Sequence, residues 1–191
     1  MNKIQKTAIN LLLSYILDNP MEKLPKMFEM AEKLDRGNLH ATQIRVLRDV
    51  LMDKNSVWHS FVKNLFRDVD AKLLQKFVEC FIVNANLEGE ERARAIEKKY
   101  DCNVPWAILM DPSSACNLSC TGCWAAQYGD RNNLSYETLD SICRQGKELG
   151  IFFYIFSGGE PLVRKKDIIR LCKEHQDCYF FAFTNGTLVD D

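Results

Sequence analysis

The sequence predicts an α/β chain in two parts, an all-helical N-terminal domain followed by an alternating run of three strands and two helices. Three observations predict it. Leu, Ile, Met and Phe recur at three- and four-residue spacings through the first hundred residues, as at Leu47, Val50 and Leu51, the stripe that a helix buries. Beyond Pro105 this stripe gives way to short apolar runs rich in β-branched and aromatic residues, which read as strands. Segments of helix length separate those runs, so the order is β-α-β-α-β and the strands are expected to lie parallel.

Taken in order, breaks near Asn19-Pro20, Asp35 to Asn38, Asp53 to Asn55 and Leu87 to Gly89 divide the first part into five or six short helices ending near Tyr100. This sets a helical domain at 1–101 and a second domain at 102–191. The first strand is expected over Trp106 to Met110. A helix follows, starting at the N-cap residue Ser135 and stopping at Gly150. The second strand spans Ile151 to Phe156, the next helix Lys166 to His175, and the third strand Tyr179 to Phe183. None of the strands alternates cleanly, which predicts burial on both faces of a parallel sheet. Tyr179 to Phe183 would be an apolar sheet edge, open to pairing with another chain.

Composition narrows the function classes. The chain has 191 residues, 47% hydrophobic and 27% charged, with a formal net charge of -1. That is ordinary for a soluble globular protein and offers no basic surface for nucleic acid or an anionic membrane. The stretch Ile9 to Leu17 is interrupted by Asn10 and Ser14 and is far shorter than the ~20 residues of a membrane span. A cytoplasmic location is the default expectation.

The chemistry gathers after the strands. The first strand leads into Asp111-Pro112-Ser113-Ser114-Ala115-Cys116-Asn117-Leu118-Ser119-Cys120-Thr121-Gly122-Cys123, the second into Ser157-Gly158-Gly159-Glu160-Pro161, and the third into Thr184-Asn185-Gly186-Thr187. Loops that follow the strands of a β/α barrel open on one face, so three segments far apart in sequence should converge. Of eight cysteines only Cys116, Cys120 and Cys123 cluster. Thiolates are soft ligands suited to iron–sulfur clusters or zinc. Structural zinc normally takes four protein ligands, and Cys102, Cys143 or a histidine could serve as a fourth only without motif-like spacing. Three thiolates leave one iron of a cubane free to meet a ligand. A non-catalytic zinc module and an iron–sulfur electron-transfer module remain the alternatives. Cys80, Cys143, Cys172 and Cys178 read as core or half-buried thiols, and Trp124 and Tyr128 as packing residues beside the loop.

Cys116-x3-Cys120-x2-Cys123, with Gly158-Gly159-Glu160-Pro161 one βα unit later, resembles the radical S-adenosylmethionine (SAM) superfamily. The resemblance covers residues from about 106 to 191. It implies a partial TIM-type (β/α)6 barrel, of which this chain would hold about three βα units and stop after the third strand, as a fragment of a longer enzyme. It also implies a [4Fe–4S] cluster on Cys116, Cys120 and Cys123 and S-adenosylmethionine on its fourth iron. Reductive cleavage would then give a 5′-deoxyadenosyl radical that abstracts hydrogen from a substrate. Gly158, Gly159 and Glu160 would hold the methionine part, while Thr184 and Asn185 would face the cofactor or substrate. Gly122 stands where the family commonly has an aromatic residue against adenine, so that contact would come from backbone or from a neighbour such as Trp124. A reduced flavodoxin or ferredoxin is the implied electron donor. Catalytic residues acting on the final substrate are not specified.

Overall fold

In the computed structural model the described residues are Tyr15, 19–35, Asn38 and 40–190. Apart from Tyr15, the stretch Ile9 to Leu17 lies outside them. The chain divides into two compact units, with the boundary between Glu79 and Cys80. Among the described residues no helix is long and apolar enough to cross a membrane.

Among its described residues the first unit carries four helices: α1 (Pro20–Leu34), α2 (Ala41–Met52), α3 (Val57–Asp68) and α4 (Ala71–Val78). Their starts follow local chemistry. Pro20 opens α1, where a missing N–H costs nothing. Ser56 accepts from the Trp58 amide to cap α3, and Asp70 accepts from Lys72 and Leu73 to cap α4. The break at Val69-Asp70 has no proline or glycine, which is why composition gave no sign of it. Leu24, Phe28 and Leu74 are buried in this unit, and Arg48 pairs with Glu32 at 2.6 Å.

The second unit begins with helix. Residues Glu79–Gly89 form a π-helix that leads directly into α5 (Glu90–Tyr100). The expected break at Leu87 to Gly89 is therefore not a break. Two asparagine side chains of this π-helix donate to backbone carbonyls, one within the helix and one beyond it. Asn86 donates its side-chain amide to Phe81 O at 2.6 Å. The amide of Asn84, itself 2% exposed, donates to Asp177 O at 2.8 Å.

Then come β1 (Ile108–Met110), α6 (Tyr136–Leu149), β2 (Phe153–Phe156), α7 (Lys165–Glu174) and β3 (Tyr179–Ala182). The sheet order is β1-β2-β3 and both pairings are parallel, with Ile108 opposite Tyr154 and Tyr154 opposite Phe180. Helix α6 has its N-cap at Ser135, whose hydroxyl accepts from Thr138 N, and ends at Gly150 with φ +94°. Mixed helix with a small parallel three-stranded sheet is thus the observed architecture.

The strands are not buried on both faces throughout. Met110, Tyr154 and Phe156 point into a core with Leu139 and Cys143 of α6 and Ile168 and Leu171 of α7. On the opposite face Phe81 and Trp106 pack against Phe153, with Trp106 stacked on it at 4.9 Å. Toward the strand ends that face is open, and Leu109, Phe181 and Phe183 are exposed. The apolar runs recorded hydrophobicity on both faces, but α6 and α7 cover one face, while Phe81 and Trp106 reach only the Phe153 end of the other.

Inside the core, the Tyr154 hydroxyl donates to Cys143 O and Ile151 O at 3.1 and 3.0 Å. This fixes the C-terminal end of α6 against β2. Burial pushes the Tyr154 hydroxyl well above its ordinary range and the Cys143 thiol up to about 12.

Candidate functional site

The loops after β1, β2 and β3 meet, and named hydrogen bonds hold them together. The excursion after β1 is closed at its base like a drawstring. Leu134 N donates to Pro112 O at 3.1 Å, Ser114 N donates to Asn132 O at 2.8 Å, and Ser113 bridges Asn133 in antiparallel fashion. The Arg164 guanidinium donates to both Pro112 O and Leu134 O, at 3.3 and 2.8 Å, clamping the two ends of the excursion.

The glycines after β2 serve this base. Gly158 has φ +101°, a conformation that side chains rarely adopt, and a Cβ there would sit 2.5 Å from Ser113 O. At Gly159 a Cβ would fall on the Ala115 carbonyl. Removing both side chains lets Gly159 N donate to Ser113 O at 3.1 Å and Glu160 N donate to Ala115 O at 2.9 Å. The first close approach made by this glycine pair is therefore to the backbone leading into Cys116.

Glu160 is 1% exposed. Its carboxylate accepts from Leu162 N at 2.9 Å and from the Thr184 hydroxyl at 2.7 Å on one oxygen, and from Asn185 N at 2.8 Å on the other. Glu160 thus brackets the loop after β2 to the loop after β3. Beyond it, the Asn185 side-chain amide donates to Asn117 Oδ1 at 3.0 Å, and the Asn117 amide donates to Thr187 Oγ1 at 2.8 Å. One connected network therefore runs from Leu162 to Asn117, the residue that follows the first clustered cysteine.

Cys116, Cys120 and Cys123 are exposed on this excursion as free thiols. Leu118 N donates to Cys116 Sγ at 3.5 Å, and Cys123 N donates to Cys120 O at 3.2 Å. Gly122, with φ +77°, sits in the turn between the second and third cysteines. Among the described residues, no three His, Cys, Asp or Glu side chains lie close enough to hold a metal ion, so the three thiols are presented on one loop without being drawn together. As a donor set, three accessible thiols within eight residues suit a thiolate-held iron–sulfur centre in chemistry. Cys80, Cys143 and Cys178 are buried elsewhere; Cys102 is exposed, and so is Cys172, where a core or half-buried thiol was expected.

Beside the glycines lies a cavity of about 540 Å³, in the size range of small-molecule sites. Asp111, Gly158, Gly159, Trp124, Tyr128 and Arg131 are among the residues that line it. Trp124 and Tyr128 meet edge to face with ring centroids 6.0 Å apart. Both are partly exposed to the cavity, where they were expected to be packing residues.

Sequence reasoning placed the cysteines, glycines, Glu160, Thr184 and Asn185 together, and they do adjoin. It missed Asn117, Arg164, Asp111 and Arg131. Asn117 and Arg164 act on partners 70 and 52 positions away, which no local pattern encodes. The one available signal was the position of Asp111 at the end of a strand, where barrel folds place working residues.

Residues 110–191 match the family model of the Radical SAM superfamily. Its members bind a [4Fe–4S] cluster and S-adenosylmethionine. Among curated relatives, a probable GTP 3′,8-cyclase of Methanothermobacter marburgensis is 35% identical over 89 residues, covering 44% of this chain and 29% of the relative. A cysteine-type anaerobic sulfatase-maturating enzyme of Clostridium perfringens is 32% identical over 104 residues, covering 46% and 28%. A PqqA peptide cyclase of Gluconobacter oxydans is 31% identical over 91 residues, covering 46% and 25%. The matches thus span less than a third of each relative's length. No solved structure matches.

Proposed function

We propose that this chain is a radical SAM enzyme in which Cys116, Cys120 and Cys123 hold a [4Fe–4S] cluster. The observation that carries this reading is the joining of three strand-end loops by Glu160 and Asn117, which presents three accessible thiols next to a glycine-lined cavity. When bound and reduced, the cluster and S-adenosylmethionine supply a 5′-deoxyadenosyl radical for hydrogen abstraction from a substrate. The chain's own residues do the rest. Backbone at Gly158 and Gly159 borders the ligand space and offers carbonyl acceptors to an amino group. Glu160, with its carboxylate occupied, keeps Thr184 and Asn185 at the rim. Asn117 fixes the start of the cysteine loop, so closing the thiols on a cluster needs only the outer part of the loop to move. A reduced flavodoxin or ferredoxin would be the electron donor. The relatives' printed activities, on GTP, a sulfatase and a peptide, span different substrate classes, and none is assigned to this chain.

Anaerobic reconstitution with iron and sulfide tests the reading. The expected result is a brown protein with broad visible absorption that, given reductant and S-adenosylmethionine, releases 5′-deoxyadenosine. Colourless protein with tightly bound zinc would replace this reading with a zinc module. A brown protein that never releases 5′-deoxyadenosine would replace it with an electron-transfer module.

A further inference from the structure

A closed ring of side-chain hydrogen bonds joins the loop after β3 to the residue that follows Cys116. Asn185 Nδ2 donates to Asn117 Oδ1 at 3.0 Å, Asn117 Nδ2 donates to Thr187 Oγ1 at 2.8 Å, and the Thr187 hydroxyl donates to Asn185 Oδ1 at 2.7 Å. We propose that Thr187, acting through Asn117, is a positioning residue that raises the reduction potential of the cluster by keeping the Leu118 amide on the Cys116 sulfur. The inference rests on the function proposed above, because it needs a cluster on Cys116, Cys120 and Cys123.

The ring has a fixed direction and a fixed anchor. The Thr187 backbone N–H also donates to Asn185 Oδ1, at 3.0 Å, so the Asn185 amide cannot be turned over without setting donor against donor. Asn185 N in turn donates to the buried Glu160 carboxylate at 2.8 Å, which ties Asn185 and Thr187 to the end of β3. On the other side the ring grips Asn117 twice. The peptide that begins at Asn117 carries the Leu118 N–H, and this donates to Cys116 Sγ at 3.5 Å. Holding the Asn117 side chain from two sides restricts the rotation that would take this N–H off the sulfur. Cys116, Asn117 and Leu118 are all exposed, so without the ring the amide exchanges the sulfur for water.

Reduction brings one electron from the flavodoxin or ferredoxin donor and adds negative charge to the sulfur ligands. An N–H aimed at such a sulfur stabilises the more negative state more, and the potential rises. Among the described residues neither Cys120 Sγ nor Cys123 Sγ accepts a hydrogen bond, so this tuning acts at the Cys116 end.

A redox titration of iron- and sulfide-reconstituted protein, followed by its visible absorption, tests the proposal. Thr187→Val removes the hydroxyl and leaves the cysteine loop, the glycine pair and Glu160 as they are. This variant and Asn117→Ala are each expected to lower the reduction equilibrium constant by about threefold to tenfold, roughly 30–60 mV for one electron. The double variant should show the shift of a single one, because both changes open the same ring. Thr187→Ser keeps the hydroxyl and should titrate as wild type does, and all the variants should hold wild-type amounts of iron. An unchanged potential in Thr187→Val, shifts that add in the double variant, or an equal shift in Thr187→Ser would overturn the positioning role and leave the proposed function standing. So would a Thr187→Val protein that loses its iron, since the hydroxyl would then serve assembly rather than tuning. Wild-type protein that takes up no cluster would overturn the proposed function, and this inference with it.

Discussion

Glu160→Gln isolates the bracket between the second and third strand-end loops. The substitution keeps the shape of the side chain but removes the charge and turns one acceptor oxygen into a donor. If the amide oxygen stays toward Leu162 N and the Thr184 hydroxyl, both bonds survive at neutral strength, each about 1 kcal/mol weaker than with a carboxylate. The new NH2 then faces Asn185 N, donor against donor, and that bond is lost. Turning the amide over sets the NH2 against Leu162 N instead, and makes the Thr184 hydroxyl turn from donor to acceptor. The better arrangement therefore costs about 3 kcal/mol, partly relieved where water reaches Asn185, and this corresponds to roughly a hundredfold in a local opening constant. Amide hydrogen exchange reads it directly. Protection at Leu162 and Asn185 should fall by about that factor, while amides inside α6 change much less. Wild-type protection at both amides in the variant would refute the claim that Glu160 joins these loops.

Three further outcomes follow from the same geometry. Gly159→Ala places a methyl group on the Ala115 carbonyl, so the backbone before Cys116 must move, at a cost of about 1–3 kcal/mol; thermal melting should drop by roughly 5–15 °C, with iron–sulfide uptake reduced alongside. Alkylation of the native, metal-free chain should modify the exposed Cys102, Cys116, Cys120 and Cys123 first. Cys143, whose thiol burial pushes up to about 12, should react roughly a thousandfold more slowly even before its inaccessibility is counted, as mass mapping at successive times would show. At Asp140 burial pushes the carboxyl up, but hydrogen bonds from Arg144 and His175 outweigh it and hold the group below its ordinary range. A depressed carboxyl contributes stability above its unfolded pKa and loses it as pH falls through the folded one. The melting difference between wild type and Asp140→Asn should therefore be present at neutral pH, begin to shrink near the ordinary carboxyl range of about pH 4, and vanish only below the depressed folded-state pKa.

What the sequence made legible was local chemistry. Ser135 and Gly150 bound α6 because a hydroxyl cap and a left-handed glycine act on their immediate neighbours. The parallel order of the strands follows from intervening segments long enough for helices. The three motif loops could be placed together because strand ends in such a sheet point one way. Non-local effects were hidden. The helix runs on through Leu87 to Gly89, and the Asn84 amide that ties it to the rest of its unit finds a carbonyl 93 residues onward. The open face near Leu109 and Phe181 reflects which side the two helices cover, which the apolar runs do not encode. The task of Glu160 depends on Thr184 and Asn185 arriving from another strand, so its motif suggested a ligand contact while its contacts are to the protein.

That division of labour has a consequence for reading related chains. A carboxylate that ties one loop to another remains useful to a protein that has lost its cofactor, and so do two glycines that admit a passing backbone. Such a chain could keep this acidic motif as carpentry alone. The exposed thiols of the cysteine loop, of which only Cys116 accepts a hydrogen bond among the described residues, are the more telling witnesses to chemistry.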